Sequence, residues 1–579
     1  KAVDCFQKVI QIQPDRVEDA HVGLGNVLKK LGEYQKAKSC YEKAIQIQPN
    51  YADAHNNLGI AFKKLGEHQK AISCYEKAIQ IQPNYANAHN NLGMLFQESG
   101  EHQKAISCYE KAIQVEPNNL ASHWLSMNAF PIVYENLKEI DFYRKKFENS
   151  IEKINQLLDI QSQYTKKQII DAMNSSTNFY LHYQGGNDLK LQIKYGKLIE
   201  RLTQKIYPHF QQDIKINKST ESIKIGFVSP HFNDHTITKL FKNWIIKLNR
   251  NFFSIFVYYA GNKFDETTDL IKDHADNFFS HTHVDQLIDQ IYKDKLDILV
   301  YFDIGMDPKI QILASLRLAP IQYNTFGHPV TSGLKNIDYF FSSELMEKKD
   351  SQKYYSEKLI NLPGIGIDYD HCDISNIKKL NIVKKSNKII FLNLQSLFKL
   401  LPQDDHIYLD ILKKQPNCCF WFIHGLRNSI SSIFKERISK LFQNYDLSFN
   451  EYSIFHPRCA KDEYLGLIEQ SDIILDSLNW SGGNTSLEAI SLNKPIVTCP
   501  SEYMKGRVTY SFLRKLNIEE TIASSKKEYV EIAVKLAKDN NFRNSITKKI
   551  VNNKNNLFND NKPIRFLEEV IRKKFMELK

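Results

Sequence analysis

The chain has 579 residues, of which 42% are hydrophobic and 12% aromatic, and its formal net charge is +11. One hydrophobic core does not extend over that length, so roughly three or four domains are expected. No stretch of about 18 uncharged apolar residues and no signal-peptide pattern occurs, which argues against a membrane protein and makes a cytoplasmic location the default expectation.

The distribution of charge and cysteine narrows the function classes further. The lysines are dispersed and not clustered with aromatic residues, so nucleic acid is not an expected partner. Cys40, Cys74 and Cys108 recur at one position of a repeat, and no Cys-x-x-Cys pair occurs. We therefore expect reduced thiols, no disulfide framework and no metal.

Residues 1–120 repeat with a period of 34 residues. The segment 51–59 (YADAHNNLG) returns as 85–93 (YANAHNNLG), and prolines at 83 and 117 close successive units. The pattern resembles the tetratricopeptide repeat, in which pairs of amphipathic helices stack into an α-solenoid with a concave binding surface. The resemblance predicts protein or peptide partners for this segment, and the repeats also offer a surface for oligomerisation.

Two asparagines mark the inner face of the predicted solenoid. Asn57 and Asn91 occupy equivalent positions on the first helix of their repeats, whereas Gly23 stands at that position in the earlier one. They are either solvated consensus residues or peptide-binding residues whose amides hold an extended backbone. The sequence leaves both interpretations open.

Residues 121–220 lose the period and read as a helical adaptor. Apolar residues keep helical spacing within 147–158, and further helices are predicted over 165–180 and 187–206. No residue pattern in this segment indicates chemistry.

Residues 221–380 read as an α/β lobe with a parallel sheet. Three apolar runs, 223–229, 253–259 and 296–302, alternate with helical patterns. Ligands on such sheets gather at the carboxyl ends of the strands. His235 follows the first strand and is either a proton-transfer or diphosphate-binding residue or a cap. His231 and His328 are weaker candidates of the same kind.

Residues 381–579 read as a second lobe of the same type with C-terminal helices, and the strand runs are 388–392, 418–423, 473–475 and 496–497. The segment 476–489 (DSLNWSGGNTSLEA) lies between two of these strands, with paired glycines before Thr485 and Ser486. Such a turn suits phosphate at a helix N-terminus, although a tight turn with a helix cap gives the same pattern. Lys399 follows another strand and is predicted to reach the same cleft, where a cation would stabilise a diphosphate leaving group.

The order of these motifs resembles the O-linked GlcNAc transferase/SPINDLY family, glycosyltransferase family 41, in its bacterial form. The resemblance rests on the repeats, on 226–235 (GFVSPHFNDH), on 327–333 (GHPVTSG), on 395–399 (QSLFK) and on 480–485 (WSGGNT). It implies a GT-B fold with two Rossmann-like lobes and inverting, metal-independent transfer of GlcNAc from UDP-GlcNAc to Ser or Thr of proteins.

The resemblance also implies roles for individual residues. His235 and Lys399 match the catalytic positions, with His235 as base or donor-orienting group and Lys399 as the cation on the diphosphate. Lys239 and Ser396 depart from the animal enzymes, which have histidine and glutamine there. The expected nucleotide-sugar contacts are Gln395, Ser396, Lys461, Gly482, Gly483, Asn484, Thr485, Ser486, Glu488, Gly327, His328 and Pro329.

Other functions are compatible with the same patterns. The donor and acceptor could instead be those of GDP-fucose O-fucosyl transfer or of UDP-glucose N-glucosyl transfer. A chain of another class would use the repeats as a scaffold and keep a silent nucleotide-sugar domain.

Overall fold

The computed structural model describes residues 2–12, 17–160, 164–215, 222–378 and 388–578. The chain forms two compact units, the first comprising Lys1–Ile132 and Glu152–Ser176 and the second Val133–Ile151 and Thr177–Lys579. The segment predicted as an adaptor is therefore divided between the units. The predicted domain boundaries at 220 and 380 lie outside the described residues.

The first unit is helical. Its helices are α1 (Ala2–Ile12), α2 (Val17–Lys30), α3 (Tyr34–Ile47), α4 (Ala52–Lys64), α5 (His68–Ile81), α6 (Ala86–Glu98), α7 (His102–Val115), α8 (Leu120–Met127), the C-terminal part of α9 (Leu137–Ile160) and α10 (Lys166–Ser175).

Each repeat pairs its helices through a glycine that meets a buried tyrosine. A Cβ at Gly59 of α4 would lie 2.6 Å from the Tyr75 ring of α5, and Gly93 meets Tyr109 in the same way one repeat later. Both tyrosines are fully buried. Gly66, between α4 and α5, has a φ of 81°, which favours glycine. The 34-residue period is thus a packing requirement, and the predicted helical repeat is confirmed.

Two parallel sheets form the framework of the second unit. The first has the strand order β3-β2-β1-β4-β5-β6-β7 and the second β10-β9-β8-β11-β12. The strands are β1 (Ile223–Ser229), β2 (Phe253–Tyr259), β3 (Asn277–Ser280), β4 (Ile298–Tyr301), β5 (Ile321–Thr325), β6 (Tyr339–Ser343), β7 (Lys358–Leu362), β8 (Ile389–Leu392), β9 (Cys418–Ile423), β10 (Ser453–His456), β11 (Ile473–Leu475) and β12 (Ile496–Val497).

Helices precede, connect and follow these strands. Besides the N-terminal part of α9, they are α11 (Leu189–Ile206), α12 (Thr236–Ile246), α13 (Glu266–Asp273), α14 (Val284–Asp294), α15 (Pro308–Ala314), α16 (His406–Lys414), α17 (Asn428–Gln443), α18 (Lys461–Gln470), α19 (Asn484–Ser491), α20 (Val508–Lys515), α21 (Lys526–Lys538), α22 (Asn540–Asn553) and α23 (Lys562–Leu578).

In each sheet the strand order reverses direction once. The chain builds β1 to β3 outward and then returns to place β4 beside β1, and in the second sheet it places β11 beside β8 in the same way. Ligands on open parallel sheets bind at the carboxyl ends of strands at such a switch point. The predicted fold, helical repeats followed by two parallel α/β lobes, is confirmed, and the two switch points locate the candidate site.

The last helix returns to the first lobe. The Glu568 carboxylate of α23 accepts a hydrogen bond from the Asn249 N–H at 2.7 Å, and Arg572 lies over the Phe252 ring at 3.8 Å. Leu567 and Ile571 of the same helix are fully buried. Within the described part of the chain, no helix is both long and apolar enough to cross a membrane.

Candidate nucleotide-sugar site

The glycine turn after β11 is held in place by its own surroundings. The Asp476 carboxylate accepts hydrogen bonds from the Gly482 N–H at 2.8 Å and from the Thr498 hydroxyl at 2.8 Å. The Ser481 hydroxyl accepts a hydrogen bond from the Val508 N–H at 2.8 Å. The backbone of the turn is thus positioned without a ligand, as a preorganised anion site requires.

The two glycines of the turn serve different purposes. A Cβ at Gly482 would lie 2.2 Å from Ser486 Oγ, so that position has no room for a side chain. A Cβ at Gly483 would meet no atom within 4 Å, so open space adjoins the backbone there. α19 begins at the next residue, Asn484, and the unpaired N–H groups and dipole of this helix start favour an anion in that space.

Asn484 gives a second indication of a ligand. Its side chain is 8% exposed, and its Oδ1 atom is buried without a hydrogen-bond partner. Buried amides are rarely left unpaired in folded proteins, so this group is one that a bound molecule would complete.

Lys399 reaches the glycine turn through a chain of hydrogen bonds. It ends a short 3-10 helix that follows β8, and its Nζ donates to Gln395 Oε1 at 2.8 Å. Gln395 Nε2 in turn donates to Thr485 Oγ1 in the first turn of α19 at 2.7 Å. The carboxyl ends of β8 and β11 therefore bring a cation, an amide and a hydroxyl to one place, as the sequence predicts.

Burial tunes the charges at this place. It lowers the pKa of Lys399 to about 8, an effect that the negative charge of Asp476 opposes. It raises the pKa of Asp476 to about 6, against the hydrogen bond from Gly482 and those from Thr498 and Thr509. Near neutral pH the pair is thus mostly charged, and a small change in surroundings alters the charge of Lys399.

His235 caps α12 at the carboxyl end of β1. Its Nδ1 accepts a hydrogen bond from the Ile237 N–H at 3.2 Å, and its ring stacks on His231 with centroids 3.9 Å apart. Burial lowers the pKa of His235, and the charge of Lys239 lowers it further. The neutral ring therefore carries its proton on Nε2 and offers that N–H as a donor.

Glu488 of the second lobe lies close to charged residues of the first lobe. It lies one turn after the start of α19, and Lys239 of α12 and Lys461 of α18 both face its carboxylate. Burial raises the pKa of Glu488 to about 7, and these lysines oppose the rise, whereas the nearby Asp234 adds to it. Lys239 and Asp234 thus lie close to α19, and His235 follows Asp234 in the chain.

Other predicted contacts are placed less favourably. The Ser486 hydroxyl is buried and shares a hydrogen bond with Thr509 at 2.8 Å, so it faces the protein interior. Ser396 is exposed and Lys461 is exposed at the start of α18. Their roles as nucleotide contacts stay predictions.

The motif at 327–329 meets the glycine-turn segment through His328, whose ring centroid lies 5.5 Å from that of Trp480. His328 is 2% exposed, and its Nε2 shares a hydrogen bond with His182 Nδ1 at 2.7 Å. A Cβ at Gly327 would lie 2.1 Å from the Phe302 carbonyl oxygen, so that glycine permits close packing. Pro329 lines a cavity that no residue of the glycine turn lines. These three positions read as packing residues, and their nucleotide contacts stay predictions.

Sequence reasoning assigned no role to two groups that the structure brings to the site. Asp476 lies directly after β11, where a polar residue at a strand end was the available signal. Trp480 stacks on Tyr183 with centroids 4.0 Å apart, and Tyr183 also meets Phe398 beside Lys399. Tyr183 belongs to the predicted adaptor, which showed no sign of a contribution to the site.

In the first unit, both predicted peptide contacts are already bonded within the protein. Asn57 Oδ1 accepts a hydrogen bond from Lys29 Nζ at 2.8 Å, and Asn91 Nδ2 donates to Asn56 Oδ1 at 2.8 Å. Asn57 and Asn91 are half-buried. Each amide keeps further hydrogen-bonding capacity, so peptide binding by these residues stays a prediction.

No group of three His, Cys, Asp or Glu side chains that could hold a metal ion occurs among residues 2–12, 17–160, 164–215, 222–378 and 388–578. The structure places the cation Lys399 beside the glycine turn. Metal independence stays a prediction from the resemblance.

Relatives named as transferases are similar to this chain in sequence. The probable UDP-N-acetylglucosamine–peptide N-acetylglucosaminyltransferase SEC of Arabidopsis thaliana is 26% identical over 352 residues, which cover 58% of this chain and 35% of the relative. SPINDLY of the same plant, which carries the same description, is 24% identical over 342 residues, 58% of this chain and 37% of the relative. The chain thus spans well under two thirds of the length of these curated relatives.

A solved structure shares the fold. A mutant of the Thermobaculum terrenum O-GlcNAc transferase matches with a TM-score of 0.69 at 17% sequence identity, covering 97% of this chain and 98% of that one.

Family models agree with both parts of the chain. A tetratricopeptide repeat model matches residues 16–84 and 50–116. The model of glycosyl transferase family 41 matches residues 147–388 and 375–564. Because that match covers well over half of the chain, this protein belongs to glycosyl transferase family 41.

Proposed function

We propose that this protein transfers GlcNAc from UDP-GlcNAc to Ser or Thr hydroxyls of proteins, with inversion at the anomeric carbon. The observation that carries the proposal is the hydrogen-bonded series Lys399, Gln395 and Thr485 beside the open space at Gly483. A cation and a helix start beside one open space suit a diphosphate. The names of the relatives supply the identity of the sugar and the peptide acceptor.

Departure of the diphosphate is the step that these residues would assist. Negative charge grows on the bridging oxygen as the bond to the sugar breaks, and Lys399 and the N–H groups of α19 are positioned before the reaction begins. His235 would donate its Nε2–H to the donor. Inversion requires the acceptor hydroxyl to attack from the face opposite the diphosphate.

The rest of the donor would extend along α19. Glu488 lies one helical turn from Thr485 and would accept hydrogen bonds from the ribose hydroxyls. Lys461 would contact the base, as the resemblance implies. Protein acceptors would bind the repeats, with Asn57 and Asn91 holding peptide backbone. The expected cytoplasmic location would place the enzyme among such acceptors.

A substitution of Lys399 tests the proposal. Lys399→Ala removes the cation, and we expect the rate of sugar transfer to fall on the order of 10²–10³-fold, as for loss of one preorganised donor. Lys414→Ala, which changes an exposed lysine of α16, is the matched control and should transfer like the wild type. Mass spectrometry of an acceptor protein measures transfer, and thermal unfolding verifies the fold. Transfer by Lys399→Ala within a few fold of wild type would show that the proposal is wrong.

Calorimetry identifies the nucleotide. We expect UDP to bind the wild type and GDP to bind much more weakly. Preferential binding of GDP would indicate that the donor is GDP-fucose and not UDP-GlcNAc. Absence of binding by any nucleotide sugar at millimolar concentration would favour the scaffold function.

A further inference from the structure

A second pair of ionisable groups stands beside His235 at the switch point of the first sheet. His231 follows β1, and Asp303 follows the neighbouring strand β4. Because β1 and β4 are parallel, their carboxyl ends bring both side chains to the same edge of the sheet. Neither residue has a role in the proposed function so far.

Asp303 is a buried carboxyl with one oxygen that has no hydrogen-bond partner. It is fully buried, its Oδ2 accepts the Ser229 hydroxyl at 2.7 Å, and its Oδ1 has no hydrogen-bond partner. Ser229 Oγ also accepts the His231 N–H at 3.0 Å, so one serine links both residues. An unpaired buried carboxyl oxygen costs free energy of folding, so a functional role would explain why this group is buried.

His231 lies close to that carboxyl. Its Nε2 lies 3.9 Å from Asp303 Oδ2, with one quarter of the side chain exposed. That separation is longer than a hydrogen bond, but catalytic contacts are often long before substrate binds. The carboxyl can orient the imidazole through Nε2, which leaves Nδ1 as the nitrogen able to accept a proton.

His235 is unsuited to accept that proton. Its Nδ1 already accepts the Ile237 N–H, and its Nε2 carries a hydrogen in the neutral ring. The adjacent His231 ring, with its centroid 3.9 Å from that of His235, has no such capping bond in the described structure.

We propose that His231 accepts the proton of the attacking acceptor hydroxyl and that Asp303 orients its imidazole and stabilises the charge it gains. The inference rests on the proposed function. The acceptor oxygen forms a bond to the anomeric carbon while the bond from that carbon to the diphosphate oxygen breaks. The hydroxyl proton passes to His231 Nδ1, and the electron pair leaves with the nucleoside diphosphate.

The charges around the pair give it a distinctive pH dependence. Burial raises the pKa of Asp303 to about 8, opposed by the Ser229 hydrogen bond and helped by Asp307 at the start of α15. Burial, together with His235, Lys309 and Lys263, lowers the pKa of His231 to about 3. Below pH 8 the pair therefore holds one proton on the carboxyl. With donor bound at saturation, the negative diphosphate keeps Lys399 charged, so the transfer rate should rise with pH as the proton leaves Asp303.

Two variants test the proposal by sugar transfer at saturating UDP-GlcNAc. His231→Ala should lose on the order of 10²–10⁴-fold in kcat, the usual contribution of a general base, and added imidazole should restore part of the rate. His235→Asn, which keeps a capping side chain, should gain nothing from imidazole. Equal transfer by His231→Ala and wild type, or imidazole rescue of His235→Asn alone, would overturn the assignment.

The variant Asp303→Asn tests whether Asp303 orients His231 or only contributes to packing. The rise of kcat with pH around 8 in the wild type should disappear in this variant, whereas a purely structural role would lower the rate at every pH and keep the rise. Asp303→Glu should recover part of the rise. A rise unchanged in Asp303→Asn contradicts the proposal.

A third measurement does not depend on turnover. The imidazole ¹⁵N shifts of His231, followed by NMR across pH, should change when Asp303 becomes asparagine and stay constant when the exposed Asp373 does so. Constant shifts in both variants would overturn the proposed pair. Failure of the wild type to bind UDP would instead contradict the proposed function, so the two failures are distinguishable.

Discussion

At the scale of single residues, Asp476 helps to set the pH up to which Lys399 stays charged. Asp476→Asn keeps the side-chain size and an acceptor for the Gly482 N–H, but it removes the negative charge that opposes the effect of burial on Lys399. The pKa of Lys399 should then fall further below its present value of about 8. Because the diphosphate binds the charged form, UDP affinity should decline at a lower pH in the variant than in the wild type.

Calorimetric titration of UDP at a series of pH values around 8 measures this shift. Thr498→Val serves as the control, because it removes a hydrogen bond to Asp476 and leaves its carboxylate in place. Identical pH dependence in wild type and Asp476→Asn would show that Asp476 only supports the turn.

Residues next to strand ends were predictable, and the directions of side chains were not. The positions of Lys399 and the glycine turn follow from the pattern of strand, turn and helix, since parallel strands end at one edge. Ser486 turns inward because Thr509 of α20 meets its hydroxyl, and His328 is enclosed because His182 meets its ring. Those partners are distant in sequence, so no local pattern indicates them.

At the scale of elements, the glycine turn predicts opposite outcomes for neighbouring substitutions. Gly482→Ala would place a Cβ against Ser486 Oγ and Gln395 Nε2, and overpacking of this kind costs about 1–3 kcal/mol. The Cβ of Gly483→Ala would meet no atom of the protein within 4 Å and would enter the space where we propose that the donor binds. We expect the first variant to lose stability and the second to lose UDP binding with a smaller loss of stability.

Thermal unfolding and calorimetry of UDP binding, performed on both variants, give the two readings. Full UDP affinity in Gly483→Ala would mean that the donor binds elsewhere, and it would contradict the anion site proposed at the start of α19.

The strands that sequence patterns do not predict share a physical cause. β3, β7 and β10 are edge strands with much of their surface exposed, so they lack the continuous apolar run of a buried strand. β6 lies inside the first sheet, but it ends in two buried serines that interrupt its apolar pattern. The central strands, β1, β2, β4, β8 and β9, carry such runs and are found where the patterns predict them.

At the scale of the whole second unit, contacts distant in sequence join its parts. Lys505, just before α20, donates to Asp188 Oδ2 at 2.6 Å, and Arg144 of α9 donates to the other oxygen of Asp188 at 2.9 Å. Lys505 and Asp188 are almost fully buried. Loss of one partner from a buried ion pair is strongly destabilising, so this triad fixes the adaptor segments to the second lobe.

The C-terminal helix joins the same unit from the other end. Leu567→Ala on α23 removes a fully buried side chain, and such substitutions cost about 2–5 kcal/mol. Met576→Ala, on the same helix with the Met576 side chain 65% exposed, should change the free energy of unfolding little. Urea unfolding followed by tryptophan fluorescence measures both.

We expect the loss of stability in Leu567→Ala to weaken UDP binding as well. α23 contacts the first lobe through Glu568 and Arg572, whereas the chain leading into it belongs to the second lobe, so a loosened helix frees one lobe from the other. UDP affinity should then fall in Leu567→Ala at temperatures below its unfolding transition and remain normal in Met576→Ala. Unchanged UDP affinity in a destabilised Leu567→Ala would mean that α23 stabilises the first lobe without holding the cleft together.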